Sequence, residues 1–129
     1  MRLLFLVMAD PDLVGHVILI VEPEIDQFAL NLQAALEARG AETLVARNPA
    51  KAFEGSRALR FSACLLNYDH ASDGLHALIN YLSDIPILLY GGERASTAAS
   101  RMMPHLAFTD RTVDSIVDAL GKLLQSARH

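Results

Sequence analysis

Short unbroken apolar runs alternate along this chain with stretches in which apolar residues recur every three or four positions. Residues 16–21, His-Val-Ile-Leu-Ile-Val, form the first run, the pattern of a strand buried on both faces. Pro23 breaks it, and residues 26–39 then place Phe28, Leu32, Ala35 and Leu36 on one helical stripe. Gly40 closes that helix, because glycine tolerates the left-handed backbone that follows a helix end. A second strand is predicted over 42–46, and Asn48 with Pro49 predicts a helix start before residues 50–59. The amide can cap the helix, and proline fits its first turn. Residues 62–66 predict a third strand ending at Asn67, then a polar loop over 68–74 and a helix over 74–82 with Leu75, Leu78, Ile79 and Leu82 on one side. The fourth strand covers 85–90, with Pro86 at its start, where a missing donor is tolerated. Gly91 and Gly92 turn the chain into a helix over 93–103 that is rich in small residues, and a short fifth strand follows over 105–108. Thr112 caps a last helix over 113–126, whose core stripe is Ile116, Val117, Leu120, Leu123 and Leu124. Five strand–helix units in strict alternation argue for a parallel sheet with helices on both faces. Right-handed crossovers restrict the topology, and the strand order 2-1-3-4-5 fits best.

Composition narrows the function classes. The 129 residues suit one domain that buries a core without staples, and 52% hydrophobic with 20% charged residues is the balance of a compact soluble protein. A net charge of −4 leaves no basic footprint for nucleic acid or an anionic membrane. The single cysteine, Cys64, excludes an internal disulfide framework and lies inside an apolar run, as a buried inert thiol would. A cytoplasmic location is the expectation from that usage. Residues 1–15 read as an N-terminal extension and residues 16–129 as the domain. The extension opens Met-Arg-Leu-Leu-Phe-Leu-Val-Met, which superficially resembles a secretory signal. Its apolar run is near the lower limit for one, and far short of the roughly 18 residues that span a bilayer. Met8 as the natural start, or an extra strand that pairs with a sheet edge of another copy, are the other readings.

Asn67 is the chemically informative position. In open α/β sheets chemistry gathers outside the carboxyl ends of the strands. An acid here could hold a metal ion or accept a phosphoryl group; an amide has neither the charge nor the nucleophilic carboxylate oxygen. Asp69, His70, Asp73 and His76 cluster in sequence, but their spacing fits no dedicated metal motif. A polar loop feeding a helix, with Asp73 as its cap, explains them. Gly91 and Gly92 lack the lysine and spaced glycines of a phosphate or dinucleotide loop. Ser96, Thr97, Ser100 and His105 have no triad spacing and read as surface groups.

Taken in order, these segments resemble the receiver domain of bacterial response regulators, the family that includes the chemotaxis protein CheY. The likeness runs over about residues 16–125. It rests on Val-Ile-Leu-Ile-Val-Glu22-Pro23-Glu24, on Ala63-Cys-Leu-Leu-Asn67-Tyr-Asp69, on Ile85-Pro-Ile-Leu-Leu-Tyr-Gly91-Gly92 and on Phe108-Thr109-Asp110. The resemblance implies a flavodoxin-like, three-layer α/β/α fold. It also implies a pocket of five groups: two acids after the first strand that hold a divalent ion, a phosphoaccepting aspartate after the third, a hydroxyl after the fourth and a lysine after the fifth. Positioning and charge neutralisation are what phosphoryl transfer demands of them. Here Glu22 keeps the first acidic position, whereas Pro23, Asn67, Gly91 and Thr109 stand where the other four groups belong. Each missing carboxylate removes about 4 kcal/mol of attraction for a unit charge at 4 Å and an effective dielectric of 20. Weak or absent magnesium binding is therefore expected.

The expectation is a stand-alone pseudo-receiver: no catalytic residue, no cofactor, and action through a protein partner in a two-component pathway. By the family's habit the contact surface falls on residues 93–124, and a homodimer through it is consistent with the resemblance. Phe108, near the family's switch aromatic, is expected to be fixed packing. Two alternatives stay open: an atypical receiver phosphorylated at Asp69, and a flavodoxin-like binder of a small ligand at the rim of Glu22, Asn67 and Gly91.

Overall fold

The computed structural model describes residues 12–127. Among these residues five strands, β1 (Val17–Val21), β2 (Glu42–Ala46), β3 (Ala63–Asn67), β4 (Ile87–Gly91) and β5 (Ala107–Asp110), alternate with five helices. The helices are α1 (Gln27–Ala38), α2 (Pro49–Ala58), α3 (Asp73–Tyr81), α4 (Glu93–Met102) and α5 (Val113–Ala127). All strand pairs are parallel, in the order β2-β1-β3-β4-β5. The expected flavodoxin-like three-layer architecture is therefore the observed one.

The period-2 alternation of a strand sorts the core into two layers. Leu19, Val21, Cys64, Leu66, Ile87 and Leu89 face one side, where they meet Ala52 of α2, Leu75, Leu78 and Ile79 of α3, and Ala95 and Ala99 of α4. Ile18, Ile20, Ala63, Leu65, Leu88 and Tyr90 face the other, against Leu32 and Leu36 of α1 and Ile116, Val117, Leu120 and Leu124 of α5. Phe108 is part-buried against the first layer.

Local signals hold the helix ends in place. Asp26 Oδ1 accepts the Ala29 N–H at 3.1 Å, and Asn48 Oδ1 accepts the Lys51 N–H at 2.9 Å, with Pro49 in the first turn. Thr112 Oγ1 accepts the Ser115 N–H at 3.3 Å and starts α5 as expected. Helix α1 closes with paired bonds from Gly40 N–H to the Glu37 carbonyl and from Ala41 N–H to the Leu36 carbonyl, the Schellman arrangement. Gly40 has φ +99°, and a Cβ there would lie 2.4 Å from Val14 Cγ2, so glycine is required twice over.

Several boundaries differ from the sequence expectation. The packed unit includes residues before His16: Leu13 is buried among the α1/α5 layer, its N–H donates to the Arg39 carbonyl, and Asp12 pairs with Arg39. The rest of the N-terminal extension lies outside the described residues. Strand β4 begins at Ile87, two residues after the expected Ile85, and Ser72, not Asp73, caps α3 through the Leu75 N–H at 3.1 Å. Tyr68, expected in a polar loop, is buried, with its hydroxyl 2.8 Å from His76 Nε2. Strand β5 lies two residues later than expected, where its pairing with β4 sets Leu88 opposite Ala107 and Gly91 opposite Asp110. No described helix is long and apolar enough to cross a membrane.

Candidate functional site: a saturated carboxylate at the sheet edge

Glu22 follows β1 directly and shares the strand parity of Ile18 and Ile20. Asn67 ends β3, shares the parity of Ala63 and Leu65, and stands in register with Tyr90 of β4. Tyr90 in turn is opposite Thr109 of β5, and Arg111 lies one further alternation along that strand direction. Strand geometry thus delivers Glu22, Asn67, Tyr90 and Arg111 to one face, at the carboxyl edge of the sheet.

The Glu22 carboxylate is only 1% exposed and its hydrogen-bonding capacity is filled by the protein. Asn67 Nδ2 donates to both oxygens, at 3.1 Å to Oε1 and 2.9 Å to Oε2. The Tyr90 hydroxyl donates to Oε1 at 2.9 Å, Arg111 Nη2 to the same oxygen at 3.3 Å, and the Glu24 N–H to Oε2 at 3.4 Å. A buried carboxylate needs such partners, since leaving it unpaired costs several kcal/mol. Burial and then the adjacent Glu22 charge push the Tyr90 phenol far above its ordinary range, so it remains a donor.

Arg111 is the functional residue that the sequence reading missed. Its Nη2 also lies 3.6 Å from Asp26 Oδ2, and its guanidinium carbon sits 4.0 Å from the centre of the Phe28 ring. Burial works against the charge, but Glu22 and then Asp26 outweigh it and hold the guanidinium above its ordinary value. Asp26 is held below its ordinary 3.8 by the Ala29 N–H that it caps, with help from Arg111. The Arg111 Nε–H is buried and meets no acceptor among the described residues.

The other predicted site residues have separate surroundings. Thr109 does not join the network; its hydroxyl donates to Asp110 Oδ1 at 3.3 Å. The cation expected to be lost with Thr109 is supplied instead from position 111. Pro23 lines an adjoining cleft with Asn67, His70 and Leu75. Gly91 is buried beneath Asp69, whose Oδ1 accepts the Gly92 N–H at 2.8 Å. Glu22, Glu24, Asn67, Asp69, His70 and Arg111 rim a cavity of about 180 Å³. Asp69 turns to Gly92 and His76 to Tyr68, so the cluster with His70 and Asp73 does not converge. Among the described residues, no three His, Cys, Asp or Glu side chains are arranged to hold a metal ion.

No protein-family model matches the chain, and no curated protein resembles it at a significant level. Solved structures do. The chemotaxis protein CheY4 of Vibrio cholerae matches with a TM-score of 0.68 at 13% identity, over 84% of this chain and 98% of that one. A response regulator receiver domain protein of Clostridium thermocellum matches with a TM-score of 0.69 at 14% identity, over 88% and 97%. A member of a family of streptococcal redox sensors that evolved from two-component response regulators matches with a TM-score of 0.74 at 16% identity, over 88% of this chain and 53% of that one. The chain has the fold of a response-regulator receiver domain.

The resemblance implies a divalent cation beside the acceptor position, and the residues here do not suit one. Magnesium demands near-octahedral oxygen ligands at about 2.0–2.1 Å. Both Glu22 oxygens are already occupied by N–H and O–H donors, one of them a cation. A metal would have to expel these donors and lie beside the Arg111 charge.

Proposed function

We propose that this chain is a receiver-type module of two-component signalling that works by protein–protein contact, without phosphoryl transfer at position 67 and without catalytic activity of its own. The observation that carries the reading is the Glu22 carboxylate, filled by Asn67, Tyr90 and Arg111. The amide at 67 offers no nucleophilic oxygen, and the surrounding charge is neutralised internally where a receiver would use a metal and a phosphoryl group. The contact surface assigned by this reading is residues 93–124, comprising α4, β5 and most of α5. A second copy of the chain or a signalling partner would dock there.

Incubation with acetyl phosphate and magnesium, read by intact-protein mass, tests the proposal. No mass gain of one phosphoryl group is expected. A gain that disappears in Asp69→Ala would overturn the reading and establish Asp69 as an acceptor.

A further inference from the structure

Helix α4 begins without a cap of its own. Its N-cap is Gly92, which has no side chain to accept an orphan N–H. Asp69 instead engages the cap residue itself from the loop after β3, its Oδ1 accepting the Gly92 N–H at 2.8 Å. A carboxylate at a helix start is also favoured by the helix dipole. The loop is aimed by Asn67, whose Oδ1 accepts the Asp69 N–H at 2.8 Å while its Nδ2 is anchored on Glu22. Gly91 makes the approach sterically feasible: a Cβ there would lie 2.8 Å from Asp69 Oδ1 and 2.7 Å from Ala95 Cβ. Hydrogen bonds therefore run without a gap from Arg111 through Glu22 and Asn67 to Asp69 and the first residue of the α4 turn.

We infer that Asp69 is a built-in latch that fixes the start of α4, so that the α4 surface is held in one setting with no covalent signal. Asn67 has a second role in this scheme: the residue that cannot accept a phosphoryl group is the one that joins the Glu22 charge to the latch. An aspartate at 67 would have no N–H to give Glu22 while its other oxygen aimed the loop. Gly91 serves the same end, since the side chain missing there is the space that the carboxylate occupies. The inference rests on the reading of α4 as part of the contact surface, but its own test does not involve phosphorylation.

Amide hydrogen exchange, followed by NMR on the full chain with no phosphodonor, measures the latch directly. Asp69→Ala should raise the exchange rate of the Gly92 N–H by about fivefold, in line with loss of a helix cap. Amide shifts should move through the first turn of α4, while the Ile20 N–H in β1 keeps its rate. Asp69→Asn, which retains the acceptor oxygen, should stay close to the parent. Gly92 exchange within twofold of the parent in Asp69→Ala, or an Asp69→Asn variant that behaves like Asp69→Ala, would overturn the latch. Because these spectra are taken on protein never exposed to a phosphodonor, a failed latch and a positive acetyl phosphate result are separate outcomes.

Discussion

Glu22 and Asp69 line the same cavity and are both carboxylates, yet they have opposite surroundings. Glu22 is buried and receives side-chain donors from three other residues; Asp69 is exposed and accepts one backbone N–H. Burial explains the difference. A carboxylate removed from water must be paired by the protein, whereas an exposed one is also served by solvent and needs fewer protein donors. The Glu22 end of the rim is therefore a structural element, and perturbing it should register in stability. The Asp69 end is a local contact, and perturbing it should register in one loop and one helix turn.

The sharpest test of that contrast is Asn67→Asp, which restores an acid at the acceptor position. Here it would place a second carboxylate where an amide donates at 2.9 and 3.1 Å to Glu22. Like charges this close disfavour joint ionisation, so the pair should cost about 3 kcal/mol at pH 7 in urea unfolding. The sign of the pH dependence is fixed: the added acid is harder to ionise in the folded protein than in the unfolded chain. The destabilisation therefore grows as pH rises above about 4 and is relieved as acid protonates one of the two groups. The variant should still take no label from acetyl phosphate, because the second acid, the hydroxyl and the lysine are also replaced, by Pro23, Gly91 and Thr109. Efficient labelling by this single change would break the account of the pocket.

Arg111→Met comes next. It keeps apolar contact with Phe28 but removes the charge beside Glu22 and Asp26. Since the arginine side chain is itself partly solvated, a loss of about 2 kcal/mol is expected, read as a lower urea midpoint at unchanged slope. Tyr90→Phe removes one of several donors to the same oxygen and should cost about 1 kcal/mol. The smallest global effect belongs to Asp69→Ala, an exposed cap whose loss should stay below about 1 kcal/mol. If Asp69→Ala proved more damaging than Arg111→Met in thermal unfolding, the assignment of structural and local roles would be reversed.

Much of this was legible in the residues, for physical reasons that differ from element to element. β1 and β3 sit in the centre of the sheet with helices on both faces, so Val17–Val21 and Ala63–Asn67 are nearly unbroken apolar runs. β5 is an edge strand that is exposed at both ends, and its Ala-Phe-Thr-Asp sequence carries little apolar signal. Its place is set by pairing with β4, and the more apolar stretch just upstream drew the prediction two residues early. Ser72 and Asp73 are both good caps, and only the hydrogen bond to Leu75 distinguishes them. The end of β3 singles out Asn67, and the resemblance to receiver domains sets Glu22 beside it. Arg111 was not, because motif positions direct attention to Thr109. Its signal was parity: two residues beyond Thr109 on the same alternation, a cation could reach the face that carries Glu22.

Cys64 is the second residue of β3, opposite Leu19 on one side and Ile87 on the other, fully buried, with its thiol pushed far up by that burial. Maleimide and disulfide reagents act on the exposed thiolate, so this sulfur stays silent towards them while the protein is folded. A cysteine introduced on the outer face of α4, at Thr97 for example, would then be the single reactive handle on the described surface. Spin or fluorescent probes could report from there on the helix without first rebuilding the sheet around a replaced native residue.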